Sequence, residues 1–496
     1  MSQISVSHVT FAYDGSYDDI FTDLSFQIDT DWKLGFCGRN GRGKTTFLKL
    51  LMGQYEYRGT ISHTVDFEYF PFPVADKSHA TIDILSSVAP DAPLWQAQKE
   101  LSKLAVDEDA LYRPFWMLSN GERTKVLLAG LFLRENNFLL IDEPTDHLDM
   151  AARKTVARYL NGKAGYILVS HDRAFLDACV DHILSINRAD IEVINGNFSV
   201  WWEQKERRDA YELARNERLG REIGRLREAA ARQSRWSDKV EKSKNQPLKS
   251  GLSADKGYIG HKAAKMMKRS KSTEKRREDA VQEKSKLLGN IEAAADLKIQ
   301  PLAYHAPRLL SLENVAVSYG GREVFRDLCF SLERGERVAL LGGNGSGKSS
   351  VIKLLNGEAI SHTGLVDIGS RLIISSVPQD ASFLSGDLSA YAKKQEIDET
   401  LFLTILRKLD FSRMQFDKDM RDYSAGQKKK VLIARSLCQR AHVYIWDEPL
   451  NYIDVLSRMQ IEELILTYEP TLLFVEHDRA FCDNIATKSV VLKRGG

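Results

Sequence analysis

Two glycine-rich octapeptides hold the chemistry of this 496-residue chain. The first is Gly38-Arg39-Asn40-Gly41-Arg42-Gly43-Lys44-Thr45; the second is Gly342-Gly343-Asn344-Gly345-Ser346-Gly347-Lys348-Ser349. Glycines spaced this way let backbone N–H groups crowd around phosphate oxygens, at the positive end of a following helix. Gly38, Asn40, Gly41 and Gly43 would build one cradle, and Gly342, Asn344, Gly345 and Gly347 the other. Lys44 and Lys348 would neutralise the β- and γ-phosphates, and Thr45 and Ser349 would offer hydroxyls to Mg²⁺. Thr46 and Ser350 complete each phosphate-binding set.

Paired carboxylates follow each loop. Phe138-Leu139-Leu140-Ile141-Asp142-Glu143 and Val443-Tyr444-Ile445-Trp446-Asp447-Glu448 have the composition of buried strands, and each ends on Asp-Glu. Asp142 and Asp447 would orient the Mg²⁺ shell, and Glu143 and Glu448 would polarise an attacking water. Phosphoryl transfer is mostly positioning and charge neutralisation, so few groups suffice.

The parts recur in register. Lys44 and Lys348 are 304 positions apart, Ser119 and Ser424 305, Glu143 and Glu448 305, and His171 and His477 306. A repeat of this length means two copies of a domain, not a solenoid. The strand Trp32–Cys37, the loop and the helix-like Thr46–Leu51 supply the setting a phosphate loop needs. The expected organisation is α/β: a first cassette over 1–200, a non-repeating segment over 201–302 and a second cassette over 303–496. Each cassette is long enough for one buried core.

Composition narrows the classes. The chain is 43% hydrophobic and 28% charged, with a net charge of +2. No run of 18 apolar residues suggests a membrane span, and nothing at Met1-Ser2-Gln3-Ile4 resembles a secretion leader; a cytoplasmic protein is expected. Cys37, Cys179, Cys329, Cys438 and Cys482 are scattered through apolar runs and read as buried free thiols. The charge is uneven, because residues 201–290 hold 25 Lys and Arg against 14 Asp and Glu.

Leu118-Ser119-Asn120-Gly121-Glu122 and Tyr423-Ser424-Ala425-Gly426-Gln427 each open a helix, expected over Arg123–Leu133 and Lys428–Cys438. A serine there is most often a simple N-cap. Its glycine partner, and its place between loop and carboxylates, resemble the signature of the ATP-binding-cassette superfamily. The resemblance implies ATP and Mg²⁺ as cofactors, Mg²⁺-dependent hydrolysis of ATP, and signatures that reach the γ-phosphate held by the opposite cassette. Ser424 and Gly426 would then pair with Lys44, and Ser119 and Gly121 with Lys348. It further implies that His171 and His477 sense the γ-phosphate, that Asp149 and Asp454 lie in the loop linking the sites, and that Tyr13 and Tyr319 stack on adenine. Gln379 fits the Mg²⁺-contacting glutamine, whereas the first half reads Tyr69-Phe70-Pro71-Phe72. Phe72 cannot ligate Mg²⁺, so a slower first site is expected. Asn120 stands where the family has a glycine, so its side chain would crowd the phosphate.

The middle segment carries Leu219, Ile223, Leu226 and Ala230 at helical spacing. A helix from about 203 to 236 would be about 50 Å long at 1.5 Å per residue. The pattern breaks from about 238 to 260 and resumes from His261 to about 293, which predicts an antiparallel α-helical hairpin with its tip at 238–260. Arg225, Arg227, Arg232, Arg235, Lys262, Lys265, Lys268, Arg269 and Lys271 concentrate basic charge toward the tip, as suits a phosphate backbone.

Two cassettes, no membrane segment and a basic hairpin together resemble the ABC-F group of ribosome-associated ATPases. Met267-Lys268-Arg269-Ser270-Lys271 and Trp446-Asp447-Glu448-Pro449-Leu450-Asn451-Tyr452-Ile453-Asp454, with the first phosphate loop, are similar to the Lsa/Vga-type antibiotic-resistance members. Ser119 follows Lys44 by 75 residues, which leaves no room for the arm insertion of several housekeeping members. The resemblance implies a single chain that binds the E site of the bacterial 70S ribosome. Its hairpin would displace P-site tRNA and reach 23S rRNA near the peptidyl-transferase centre, and lincosamides, streptogramins A and pleuromutilins would be released. The small, polar tip at Leu248–Gly257 favours relay through rRNA over direct ejection. A housekeeping ABC-F translation factor is the alternative; it should not raise drug resistance. A transporter subunit would need something in the middle segment to couple to a membrane partner. A long coiled-coil DNA-repair ATPase would carry a Cys-x-x-Cys hook, which is missing.

Overall fold

The computed structural model describes residues 2–13, 19–134, 137–146, 148–186, 191–243, 297–320 and 322–492, with side chains to 225 and at 228 within the long helix Phe198–Ser243. By backbone contacts the chain divides into two units, Met1–Trp201 with Ala294–Gly496, and Trp202–Ala293. The first holds both cassettes.

Each cassette is built on a mainly parallel sheet with the phosphate-loop strand inside it. In the first the order is Asp66–Phe70, Asn137–Asp142, Tyr166–Val169, Lys33–Cys37, His182–Ile186, Ile191–Asn195. In the second it is Ile374–Val377, Val443–Asp447, Leu472–Val475, Arg337–Leu341, Lys488–Val491. Strands flanked by helices on both faces read as continuous apolar runs; Tyr166–Val169 and Leu472–Val475 are buried at every residue. A three-stranded antiparallel sheet packs beside each, made by Phe21–Asp29, Gln3–Phe11 and Arg58–Ser62, and by Arg322–Glu333, Arg308–Tyr319 and His362–Ile368. These are two tandem P-loop NTPase cassettes joined by a helical insertion.

Parallel pairing brings the C-terminal ends of the strands, and hence the loops that follow them, to one edge. Leu139 lies opposite Tyr166 and Gly35 opposite Leu168, so the loop after Cys37, the carboxylates after Ile141 and the turn after Val169 converge. Ligands bind at that edge in open α/β sheets.

Three details depart from the sequence expectations. The signature helices begin earlier, at Asn120 and Ala425. The long helix runs Phe198–Ser243, so the first residues assigned to the tip are helical. Its stripe is seen at Leu219, half-buried, and Ile223, buried; the side chains of Leu226 and Ala230 lie outside the described residues, as do the rest of the tip and the return helix. Finally, Cys37, Cys179 and Cys482 are buried and Cys438 half-buried, but Cys329 is exposed. It faces outward between buried Leu328 and Phe330, with its thiol on Asn314 Oδ1 at 3.2 Å.

Candidate nucleotide sites

Each phosphate loop folds around its own lysine. Lys44 Nζ donates to the Gly38 and Arg39 carbonyls at 2.8 and 3.2 Å and to Asn40 Oδ1 at 3.4 Å. Lys348 Nζ donates to the Gly342 and Gly343 carbonyls at 2.8 and 3.0 Å. Burial lowers both lysine pKa values. Gly43 and Gly347 cap the following helices at φ 93° and 95°. A Cβ there would lie 2.8 Å from Phe21 or 2.6 Å from Phe325, so only glycine fits.

Carboxylates close the sites from behind. Thr45 Oγ1 donates to Asp142 Oδ2 at 2.9 Å, and the Ser349 hydroxyl bonds the Asp447 carboxyl. Asp447 is buried, and its Oδ1 has no hydrogen-bond partner. A hydroxyl beside a carboxylate is the donor set a Mg²⁺–phosphate complex needs, so these residues fit the metal. Among the described residues no group of three or more His, Cys, Asp or Glu side chains is arranged to hold a metal ion by itself.

Glu143 and Glu448 both adopt left-handed backbone, at φ 49° and 47°, each with its N–H on a strand carbonyl, of Val169 and Val475. Non-glycine residues at such angles cost about 1–3 kcal/mol and cluster at functional sites. His171 Nε2 lies 3.2 Å from Glu143 Oε1, and His477 Nε2 3.4 Å from Glu448 Oε1. The two glutamates differ electrostatically. Burial raises the Glu143 pKa well above the usual range, helped by Asp146 and Asp142. For Glu448 burial also pushes upward, but bonds from His477 and Gln379 bring it down to about 2.

Both cassettes line each cleft. Ser119, Asn120, Gly121 and Asp149 of the first face the loop Gly343–Ser350, with Gln379, Glu448 and His477, across a cleft of about 1090 Å³. Ser424 and Gly426 of the second face Asn40, Gly41, Glu143 and His171 across a smaller one of about 450 Å³. Asn40 Nδ2 donates to the Tyr452 carbonyl at 2.8 Å, and Arg42 lies 3.5 Å from Asp410. The signature serines are N-caps as well: Ser119 and Ser424 both form capping boxes, with Glu122 and Gln427. Tyr13 and Tyr319 are about half exposed, and their hydroxyls meet Thr46 Oγ1 at 2.7 Å and Ser350 Oγ at 3.2 Å. Asp149 and Asp454 cap the helices Met150–Asn161 and Val455–Tyr468.

Several residues here carry no motif. Arg458 Nε donates to the Ile453 carbonyl at 2.9 Å and its Nη1 to Asp478 at 3.1 Å. Arg153 repeats this in the first cassette, on Leu148 O and Asp172, and also reaches the His477 carbonyl of the second. Each arginine thus ties the loop after a carboxylate pair to the turn after a histidine. Their spacing of 305 positions was the available signal. Lys429, buried, holds the carbonyls of Pro378 and Asp447; burial lowers its pKa to about 8. Tyr69 OH donates to Asp142 Oδ2 at 2.8 Å.

Residues 21–146 and 325–451 match the family described as ABC transporter. The chain belongs to that family. It is an ABC ATPase with two such domains and of the ABC-F type, related to VmlR- and EttA-like proteins. It is similar to the ribosome protection protein VmlR of Bacillus subtilis, at 26% identity over 99% of this chain and 87% of the relative. It is equally similar to the energy-dependent translational throttle protein EttA of Haemophilus influenzae, at 26% over 94% and 88%. Among solved structures it shares its fold with the archaeal ribosome recycling factor aABCE1, determined in complex with the ribosomal stalk protein aP1. That match has a TM-score of 0.62 and 20% identity, over 98% of this chain and 87% of that one. ATP binding and hydrolysis are the activity this family implies. Among the described residues no helix is long and apolar enough to cross a membrane.

Proposed function

We propose that this chain is a ribosome-associated ABC-F ATPase that acts on translation, its cassettes closing on two ATP molecules. The cleft in which Ser119 and Gly121 of one cassette face the Lys348 loop of the other carries this reading, because a nucleotide held there would touch both halves. Relatives named for ribosome protection and translational throttling, matched over nearly the whole chain, supply the ribosome.

Tyr13 and Tyr319 would receive the adenines. Lys44 and Lys348 exchange their loop carbonyls for phosphate oxygens, and Ser424 and Ser119 approach from the facing cassette. Thr45 with Asp142, and Ser349 with Asp447 and Gln379, would hold Mg²⁺, which neutralises charge on the β- and γ-phosphates when bound. Glu143 and Glu448 polarise water at the γ-phosphate, and His171 and His477 orient them. A γ-phosphate touched by both cassettes adds contacts between them, and its cleavage removes those contacts, so hydrolysis loosens the clamp at that site.

Binding at the E site, displacement of P-site tRNA and release of peptidyl-transferase drugs form a second, finer reading. One observation favours it. Between Lys44 and Ser119 lie the helices Thr81–Val88, Leu94–Lys103 and Asp109–Tyr112, matched in the second cassette by Leu388–Lys394, Glu399–Lys408 and Arg413–Phe416, with no added arm. Residues 201–302 would be the element that enters the ribosome.

Glu143→Gln with Glu448→Gln should trap the chain on 70S ribosomes, since losing general bases slows hydrolysis by about 10²–10⁴-fold and leaves binding intact. Co-sedimentation with ATP no stronger than wild type would sink the ribosome reading. Expression in a susceptible bacterium then separates the two roles: inhibitory concentrations of lincosamides and pleuromutilins rise only for a resistance protein.

A further inference from the structure

Glu448 and Glu143 occupy matching places, yet different groups hold them. Glu448 Oε2 accepts two amide N–H bonds, from Gln379 Nε2 at 2.8 Å and Asn451 Nδ2 at 2.6 Å. That fixes the carboxylate and leaves Oε1 beside His477. In the first cassette neither amide has a counterpart. Strand register sets Phe70 beside Ile141 as Val377 sits beside Trp446, so Phe72, two residues on, aligns in sequence with Gln379. Asp146 stands where Asn451 does: their backbone N–H groups close the same turn onto the glutamate carbonyls, at 3.3 and 3.5 Å. Phe72 has no donor, and the Asp146 carboxylate repels the one it neighbours. Asp142 differs too, because Tyr69 shares its Oδ2 with Thr45, where the second cassette has Ser376.

We infer that Asn451 is a positioning residue which, with Gln379, aims Glu448 at water, while Phe72 and Asp146 make the Lys44 site one that holds its nucleotide through repeated turnovers at the Lys348 site. The inference rests on the glutamates being the water-polarising groups. A base gives its full effect only when its reacting atom is held in line, and only Glu448 is so held. The consequence is a clamp that works on one side. Asn40 with Tyr452, and Arg42 with Asp410, bridge the cassettes at the Lys44 site, and a retained nucleotide there would add to that seam while the Lys348 side opens and closes.

Steady-state ATPase of the full chain without ribosomes tests this. Asn451→Ala, and Asn451→Asp as the near-isosteric control, should lower kcat about tenfold with KM changed less than about twofold, the mark of a contact used only in the transition state. Glu448→Gln should cost about 100-fold and Glu143→Gln less than about threefold, within the range expected of a general base. The decisive variant restores the missing amides. Phe72→Gln with Asp146→Asn, placed in the Glu448→Gln chain, should raise its residual kcat at least about fivefold, towards the worth of a positioned base. A structural role for Asn451 would not give that rescue. No rise in the rescue variant, Asn451 variants that change KM alone, or equal losses from Glu143→Gln and Glu448→Gln would each overturn the inference. Wild-type turnover in both single glutamine variants would overturn the base assignment itself.

Discussion

Arg458→Met removes the tie between two turns of the second cassette, and its cost can be worked from the contacts. Arg458 and Asp478 are both buried, 3.1 Å apart. Methionine leaves the Asp478 carboxylate without its cation and the Ile453 carbonyl without the Nε donor. Breaking a buried pair from one side costs about 3–5 kcal/mol, because the remaining charge is uncompensated. For a domain of 150–250 residues each kcal/mol moves the midpoint about 2–4 °C, so calorimetry should show the second cassette melting about 6–20 °C lower. Arg458→Met with Asp478→Asn should recover most of that loss. Asparagine keeps the Oδ1 that accepts the Phe481 N–H at 3.1 Å and caps the helix Arg479–Ile485, but carries no charge to strand. A single variant that melts within about 2 °C of wild type, or a double variant no better than the single, would refute the pairing energetics. It would also remove the reason for the same device to recur at Arg153 and Asp172.

Two further outcomes concern the basic segment, whose residues from 244 to 296 lie outside the described ones. Charge reversal at Lys265, Lys268 and Arg269 should weaken ribosome binding and flatten its salt dependence, since fewer counterions are released; an unchanged salt slope in sedimentation would place the contact elsewhere. Deleting residues between Leu248 and Tyr258 should leave ATP turnover and ribosome binding near wild type and abolish any drug protection. Inhibitory concentrations measured in a susceptible host decide it, and full protection after deletion would reduce the segment to a spacer.

The phosphate loops, the carboxylate pairs and the duplicated order were readable because each is local. A glycine at φ 93°, a strand-end Asp-Glu or a capping serine leaves its mark within about one turn of chain. What could not be read depends on contacts between distant segments. Nothing near Tyr69 announces that its hydroxyl lands on Asp142, and Lys429 in a signature helix reads as a solvated charge until the Pro378 and Asp447 carbonyls are seen around it. That Cys329 is exposed is not legible for a related reason, because an apolar neighbourhood in sequence does not say which face of a strand a residue takes. Asp146 is the sharpest case. Beside Glu143 in one line of sequence it is another acidic residue in a loop. Only the bond from Asn451 to Glu448 in the other cassette shows that the position is worth an amide. A duplicated chain therefore holds its own control: each cassette shows what a residue of the other could have done, and asymmetry of function is to be sought where aligned residues differ in hydrogen-bonding sense rather than in size.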